Sequence, residues 1–134
     1  MRQGIILSVF VLMAIFITTS SFSKPKESPL AKLMVKMMAY IKTEEQNIAN
    51  NQPKQKYPKA FKKLPTAKES ANKTLSKEHQ QYAEKFMTDL DAYYLTPEGD
   101  ARKQAFNTVV YSCIKCHQEE CPGPVSSIRT HLLK

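Results

Sequence analysis

Apolar residues that recur in steps of three and four between proline stops restrict this chain to helices. Ser28-Pro29 sets a hydroxyl cap before a proline, whose missing N–H costs nothing at the first helical position. A helix is therefore expected over 28–52, with Leu30, Met34, Met37, Ile41 and Ile48 as its stripe and Lys32, Lys36 and Lys42 turned outward. Pro53 ends it. From 53 to 74, lysines and the prolines Pro58 and Pro65 leave room only for a short helical piece carrying Tyr57, Phe61 and Leu64. Ser76 is expected to cap a further helix, with Glu78 in its first turn and Tyr82, Phe86, Leu90 and Tyr93 at helical spacing beside Ala83, Met87 and Tyr94. Thr96-Pro97-Glu98 repeats the cap-then-proline start. The last long helix, 98–121, then presents Ala105, Phe106, Val109, Val110, Cys113, Cys116 and His117, until Cys121-Pro122-Gly123-Pro124 stops it. Residues 125–134 are left as a tail. Nothing alternates with a period of two over a useful length, so strands are not expected. Three long helices and a shorter one predict an all-α fold, a compact four-helix bundle forming one small domain.

Composition agrees with a globular chain: 42% hydrophobic and 24% charged residues argue against wholesale disorder, and three cysteines are too few for a disulfide scaffold of this size. The beginning of the chain reads as an export signal. Met1-Arg2-Gln3 supplies a positive charge and 4–16 is an apolar run with Ile5, Ile6, Leu7, Val9, Phe10, Val11 and Leu12. Ser21 and Ser23 fit the small positions before a cleavage site, so residues 1–23 are expected to be a signal peptide and 24–134 the mature domain. The competing reading is a retained anchor, against which the run falls short of the ~20 residues a span needs. No cysteine near the cleavage site offers a lipid attachment point. The expected location is the periplasm.

Cys113-Ile114-Lys115-Cys116-His117 has the form C-x-x-C-H, the attachment signature of c-type haem. On a helix, positions i and i+3 share a face, so both thiols can add to the two vinyl groups along one porphyrin edge. His117, next to the second thioether, places an imidazole nitrogen on the iron as proximal ligand. An export signal strengthens the reading, because it delivers the thiols to the compartment where haem is attached. Three other readings compete. A thioredoxin-like pair wants a βαβ setting with its first cysteine at a helix N-terminus, and this motif follows helical text. Zinc would need Cys113, Cys116, His117 and Cys121, four ligands that consecutive turns of one helix wrap poorly around one ion. A Cys113–Cys116 disulfide would close a small ring in a helix that needs no staple.

The motif closes the last helix, and no methionine follows it; Met34, Met37, Met38 and Met87 all lie upstream. In this order the chain resembles the cytochrome c prime group, the class II cytochromes c, whose four-helix bundle carries C-x-x-C-H near its C-terminus. The resemblance covers the mature chain in length, order and helix placement, with residues 113–117 as its only specific motif. Members typically have a basic residue four positions after the histidine and end soon afterwards, whereas this chain has Cys121, Pro-Gly-Pro and a tail, the mark of a variant member. The resemblance implies one covalent haem c and either an apolar distal side or a first-helix methionine as sixth ligand. With first and last helices antiparallel, Met34 is the expected distal ligand and Met37, one turn on, the second candidate. It also implies pairing through the first helix into homodimers.

His79 and His131 are expected at the surface, each a lesser candidate for the distal position. Cys121, one turn beyond His117 on the same face, belongs to the proximal side and is expected to cap the helix, stay a buried thiol or pair with another molecule. Lys54, Lys56, Lys59, Lys62 and Lys63 form a basic segment, either a solvated face or a docking surface for an acidic redox partner, since long-range attraction speeds encounter. With a formal charge of +8, nucleic acid would be a candidate partner inside a cell, but an exported protein does not meet it. The expected function is that of an exported monohaem electron carrier, not an enzyme. A five-coordinate haem protein binding nitric oxide or carbon monoxide is the alternative, and a haem-free zinc or dithiol protein the third reading.

Overall fold

A computed structural model describes residues 27–69 and 75–134 of the chain; the expected signal peptide, 1–23, lies outside them. The described residues are mainly helical and include no strand. In order they form α1 (Pro29–Ala49), a 3₁₀ helix (Lys59–Thr66), α2 (His79–Leu95), α3 (Asp100–Glu120) and α4 (Val125–Arg129). Helix α1 starts as its sequence dictates. Ser28 is extended, its hydroxyl oxygen accepts the Ala31 N–H at 3.0 Å, and Pro29 occupies the first turn. The helix stops short of Pro53, because Asn51 takes a φ of 51°, a left-handed conformation that asparagine tolerates.

Two expected helix starts are corrected. Ser76 does not cap α2; its hydroxyl and its N–H both bond Glu120 at the end of α3, and α2 begins at His79 without a side-chain cap. Thr96 closes α2 instead of opening α3, donating its hydroxyl to the Ala92 carbonyl at 2.8 Å. Helix α3 begins at Asp100 after Gly99, whose φ of 95° is open to glycine and strained for other residues.

The 3₁₀ helix stays short because Pro58 precedes it and Pro65 interrupts it. It is nonetheless anchored. Phe61 is fully buried and Leu64 nearly so, and Phe61 meets the Tyr40 ring edge-on at 5.6 Å and stacks on Tyr57 at 6.2 Å. Burying each such side chain contributes roughly 1.5–3 kcal/mol, enough to hold a segment with little helix propensity of its own. The 3₁₀ helix packs against α1 and α2, and α3 packs against the same two helices, with α2–α3 the most extensive pairing. The four elements thus close a ring around the core.

One end of that ring holds a buried ion pair. Glu44, fully buried, accepts from Arg102 Nη2 at 3.2 Å, Gln55 N–H at 2.9 Å, Asn47 Nδ2 at 2.9 Å and the Tyr93 hydroxyl. Arg102 also donates to Glu98 at 2.7 Å and to the Gln52 carbonyl at 2.6 Å. Lys54 joins this cluster, bonding the Thr96 carbonyl and Glu98 and lying over the Tyr93 ring, so it leaves the basic surface segment to which the sequence assigned it.

The tail is corrected too. Residues 125–129 form α4, Ile128 is 2% exposed, and Asn107 holds both the N–H and the carbonyl of Leu133. His131, expected at the surface, is half-buried and bonds Glu45 at 2.5 Å. His79, also expected there, is 5% exposed because the 3₁₀ helix covers the start of α2, and its Nε2 faces the Leu64 carbonyl at 3.4 Å. Among the described residues, no helix is long and apolar enough to cross a membrane.

Candidate functional site

Cys113, Cys116 and His117 from the last turns of α3 line one cavity together with Met34, Met37 and Met38 from α1. Its remaining wall includes Leu64 from the 3₁₀ helix, Ala83 and Phe86 from α2, and Ile128 from α4. Spacings of three and four residues put the two thiols and the imidazole on one face of α3. The cavity measures about 310 Å³, within the range of ligand and cofactor pockets, roughly 300–1,000 Å³. Apolar side chains dominate its lining.

Burial pushes the Cys113 thiol up to about 12, with Cys116 beside it adding to the effect. Burial likewise raises Cys116 to about 11, helped by Glu120 and Cys121. At neutral pH both are therefore neutral thiols. A dithiol redox pair has the opposite requirement, since its attacking sulfur works as a thiolate. Among the described residues no three His, Cys, Asp or Glu side chains converge as a cage for a metal ion, so the zinc reading finds no support.

His117 is held at Nδ1, which lies 3.3 Å from the Cys121 carbonyl oxygen and 3.1 Å from the Cys121 sulfur. An Nδ1–H donated to a backbone carbonyl leaves the lone pair on Nε2, the arrangement that metal-ligating histidines use. The donor set therefore fits a covalently held haem: two neutral thiols at i and i+3, an oriented imidazole at i+4, and an apolar chamber facing them.

Met34 and Met37 both reach this cavity, Met37 buried and Met34 half-buried beside the exposed Val35. His79 and His131, the lesser distal candidates, are not among the lining residues. Met38, named in the sequence only as one of the upstream methionines, also lines the cavity, and sequence reasoning missed Ile128. The first lies off the apolar stripe of α1, and the second belongs to a five-residue helix too short to show a period. Compared with known proteins, the chain matches no family model, no curated protein and no solved structure.

Proposed function

We propose that this protein is an exported monohaem c-type cytochrome serving as an electron carrier, with Cys113 and Cys116 as the thioether residues and His117 as the proximal ligand. The observation that carries this reading is the shared cavity: the motif of α3 and the methionines of α1, about 80 residues apart in sequence, line one apolar chamber. In this reading the fold is a variant four-helix bundle of the cytochrome c prime kind, the 3₁₀ helix Lys59–Thr66 taking the place of one helix in the ring. Haem supplies reversible one-electron chemistry between ferric and ferrous iron. The chain's own contribution would be to exclude water with Met37, Ile41, Phe86 and Ile128 and to orient the His117 imidazole through its Nδ1, and Met34, on the same cavity, would be the residue whose thioether is offered to the iron.

Exposed Lys56, Lys59, Lys62 and Lys63 form the docking face for an acidic redox partner, and Lys32, Lys36, Lys63 and Lys68 line an adjoining groove of about 410 Å³. Positive charge concentrated in this way steers encounter with an acidic surface. A five-coordinate, gas-binding protein is the second reading, favoured by the number of cavity residues, such as Ile41, Phe86 and Val110, that carry no ligating atom.

The test is export of the full chain from a host with a haem attachment system, followed by acid-acetone extraction and optical spectra of both oxidation states. Haem that resists extraction in the wild type but not in the Cys113→Ala/Cys116→Ala double variant is the expected result. A low-spin spectrum supports the electron carrier and a high-spin one the gas binder. Absence of covalent haem in the wild type would overturn both.

A further inference from the structure

Helix α3 ends on a residue that touches His117 three times. The Cys121 N–H donates to the His117 carbonyl at 3.1 Å, the Cys121 carbonyl lies 3.3 Å from Nδ1, and the Cys121 sulfur lies 3.1 Å from the same nitrogen. The sequence builds this locally. Position i+4 places the Cys121 side chain on the face of His117. Pro122 disfavours the helical conformation in the residue before it, and Cys121 is accordingly extended, with φ −157° and ψ 87°. Its carbonyl therefore leaves the helix direction and turns to the imidazole edge.

Two tautomers compete at this contact. If Nδ1 carried the lone pair, the thiol would donate S–H to it, Nε2 would hold the proton and could not ligate a metal. The carbonyl decides between them, because its oxygen only accepts and at 3.3 Å calls for an N–H. The Nδ1–H is then shared between the carbonyl oxygen and the sulfur, and both acceptors make the imidazole more electron-rich.

We infer that Cys121 is the positioning residue of His117: its carbonyl and sulfur together keep the lone pair on Nε2 and set how strongly that nitrogen donates. This rests on the haem reading above. A more electron-rich imidazole favours ferric over ferrous iron, so Cys121 holds the reduction potential down.

The test uses the haem-loaded full chain. Cys121→Ala removes the sulfur and keeps the carbonyl; Cys121→Ser restores a smaller acceptor. In Cys121→Ala the ferric/ferrous balance should shift toward ferrous by up to roughly tenfold, the lower end of what an outer partner of a ligating histidine contributes. For one electron that is a rise of about 59 mV in a spectroelectrochemical titration. The iron–imidazole stretch, read by resonance Raman after photolysis of the carbon monoxide complex, should fall in the same variant, and Cys121→Ser should recover part of both changes. A residue that merely caps the helix would lower the melting temperature and leave potential and stretch where they were. Unchanged values in haem-loaded Cys121→Ala overturn this inference and leave the haem reading standing, whereas a wild type without covalent haem removes both.

Discussion

Replacing Arg102 by Met tests the charge cluster that clamps α1, α2 and α3 together. Arg102 sits in the first turn of α3 and the thiols in its last turns, so the variant separates folding energetics from the site. Methionine fills much of the space and adds apolar surface, and the loss comes from Glu44, which is fully buried and left without its cationic partner. Removing one member of a buried pair costs about 3–5 kcal/mol. Three donors stay on the Glu44 carboxylate, from Tyr93, Gln55 and Asn47, which places the expected loss near the lower end, about 3 kcal/mol. Against a total stability of roughly 5–15 kcal/mol this is a large fraction. At about 4–8 °C per kcal/mol for a small domain, the melting temperature should fall by roughly 12–24 °C. Urea unfolding followed by far-ultraviolet circular dichroism gives the free energy. Adding Glu44→Gln removes the stranded charge; its amide oxygen still accepts from the Gln55 N–H and Asn47, and its NH2 faces the Tyr93 hydroxyl, which can accept once Arg102 is gone, so the double variant should recover most of the loss. A loss under about 1 kcal/mol, the scale of an exposed pair, or a double variant no better than the single one, would refute the reasoning.

Met34→Leu keeps volume and helix propensity and so should fold normally; if Met34 ligates the iron, it converts a six-coordinate low-spin spectrum to five-coordinate and speeds carbon monoxide uptake, while Met37→Leu does much less. A wild type already high-spin and indifferent to Met34→Leu would remove the methionine ligand and favour gas binding. The hydroxyls of Tyr40 and Tyr93 are pushed well above the usual phenol range of about 10.0, both mainly by burial, Tyr40 also by the charge of Glu44 and Tyr93 by its hydrogen bond to Glu44. Their folded values are raised, so the stability they contribute is full below the unfolded value of 10.0 and is lost as pH rises beyond it. In an alkaline titration that follows tyrosinate absorbance and helicity together, two of the six tyrosines should ionise only as helicity is lost; all six titrating with the helices intact would contradict the burial argument.

What the sequence determined by itself was local. The all-α class, the start of α1 at Ser28-Pro29, the short piece around Phe61 and Leu64, and one helical face carrying Cys113, Cys116 and His117 follow from contacts between residues one turn apart. Such contacts are written in spacing and in cap and proline chemistry. Tertiary structure decided everything that depends on residues distant in sequence. Ser76 gives its hydroxyl to Glu120, 44 residues away, and therefore caps nothing. Lys54 turns inward because Thr96, Glu98 and the Tyr93 ring await it. Glu44 and Arg102 pair across 58 residues, and nothing in either helix announces that both are buried. The residues after Pro124 look like a tail until Ile128 meets the cavity wall and Asn107 pairs with the Leu133 backbone. His79 looks like a surface residue until the 3₁₀ helix covers it. A polar side chain carries no mark of where its partner lies, because the same hydroxyl, amine or imidazole bonds water equally well in the unfolded chain. Only the packing that removes the water chooses the partner, and that choice is made by the whole fold at once.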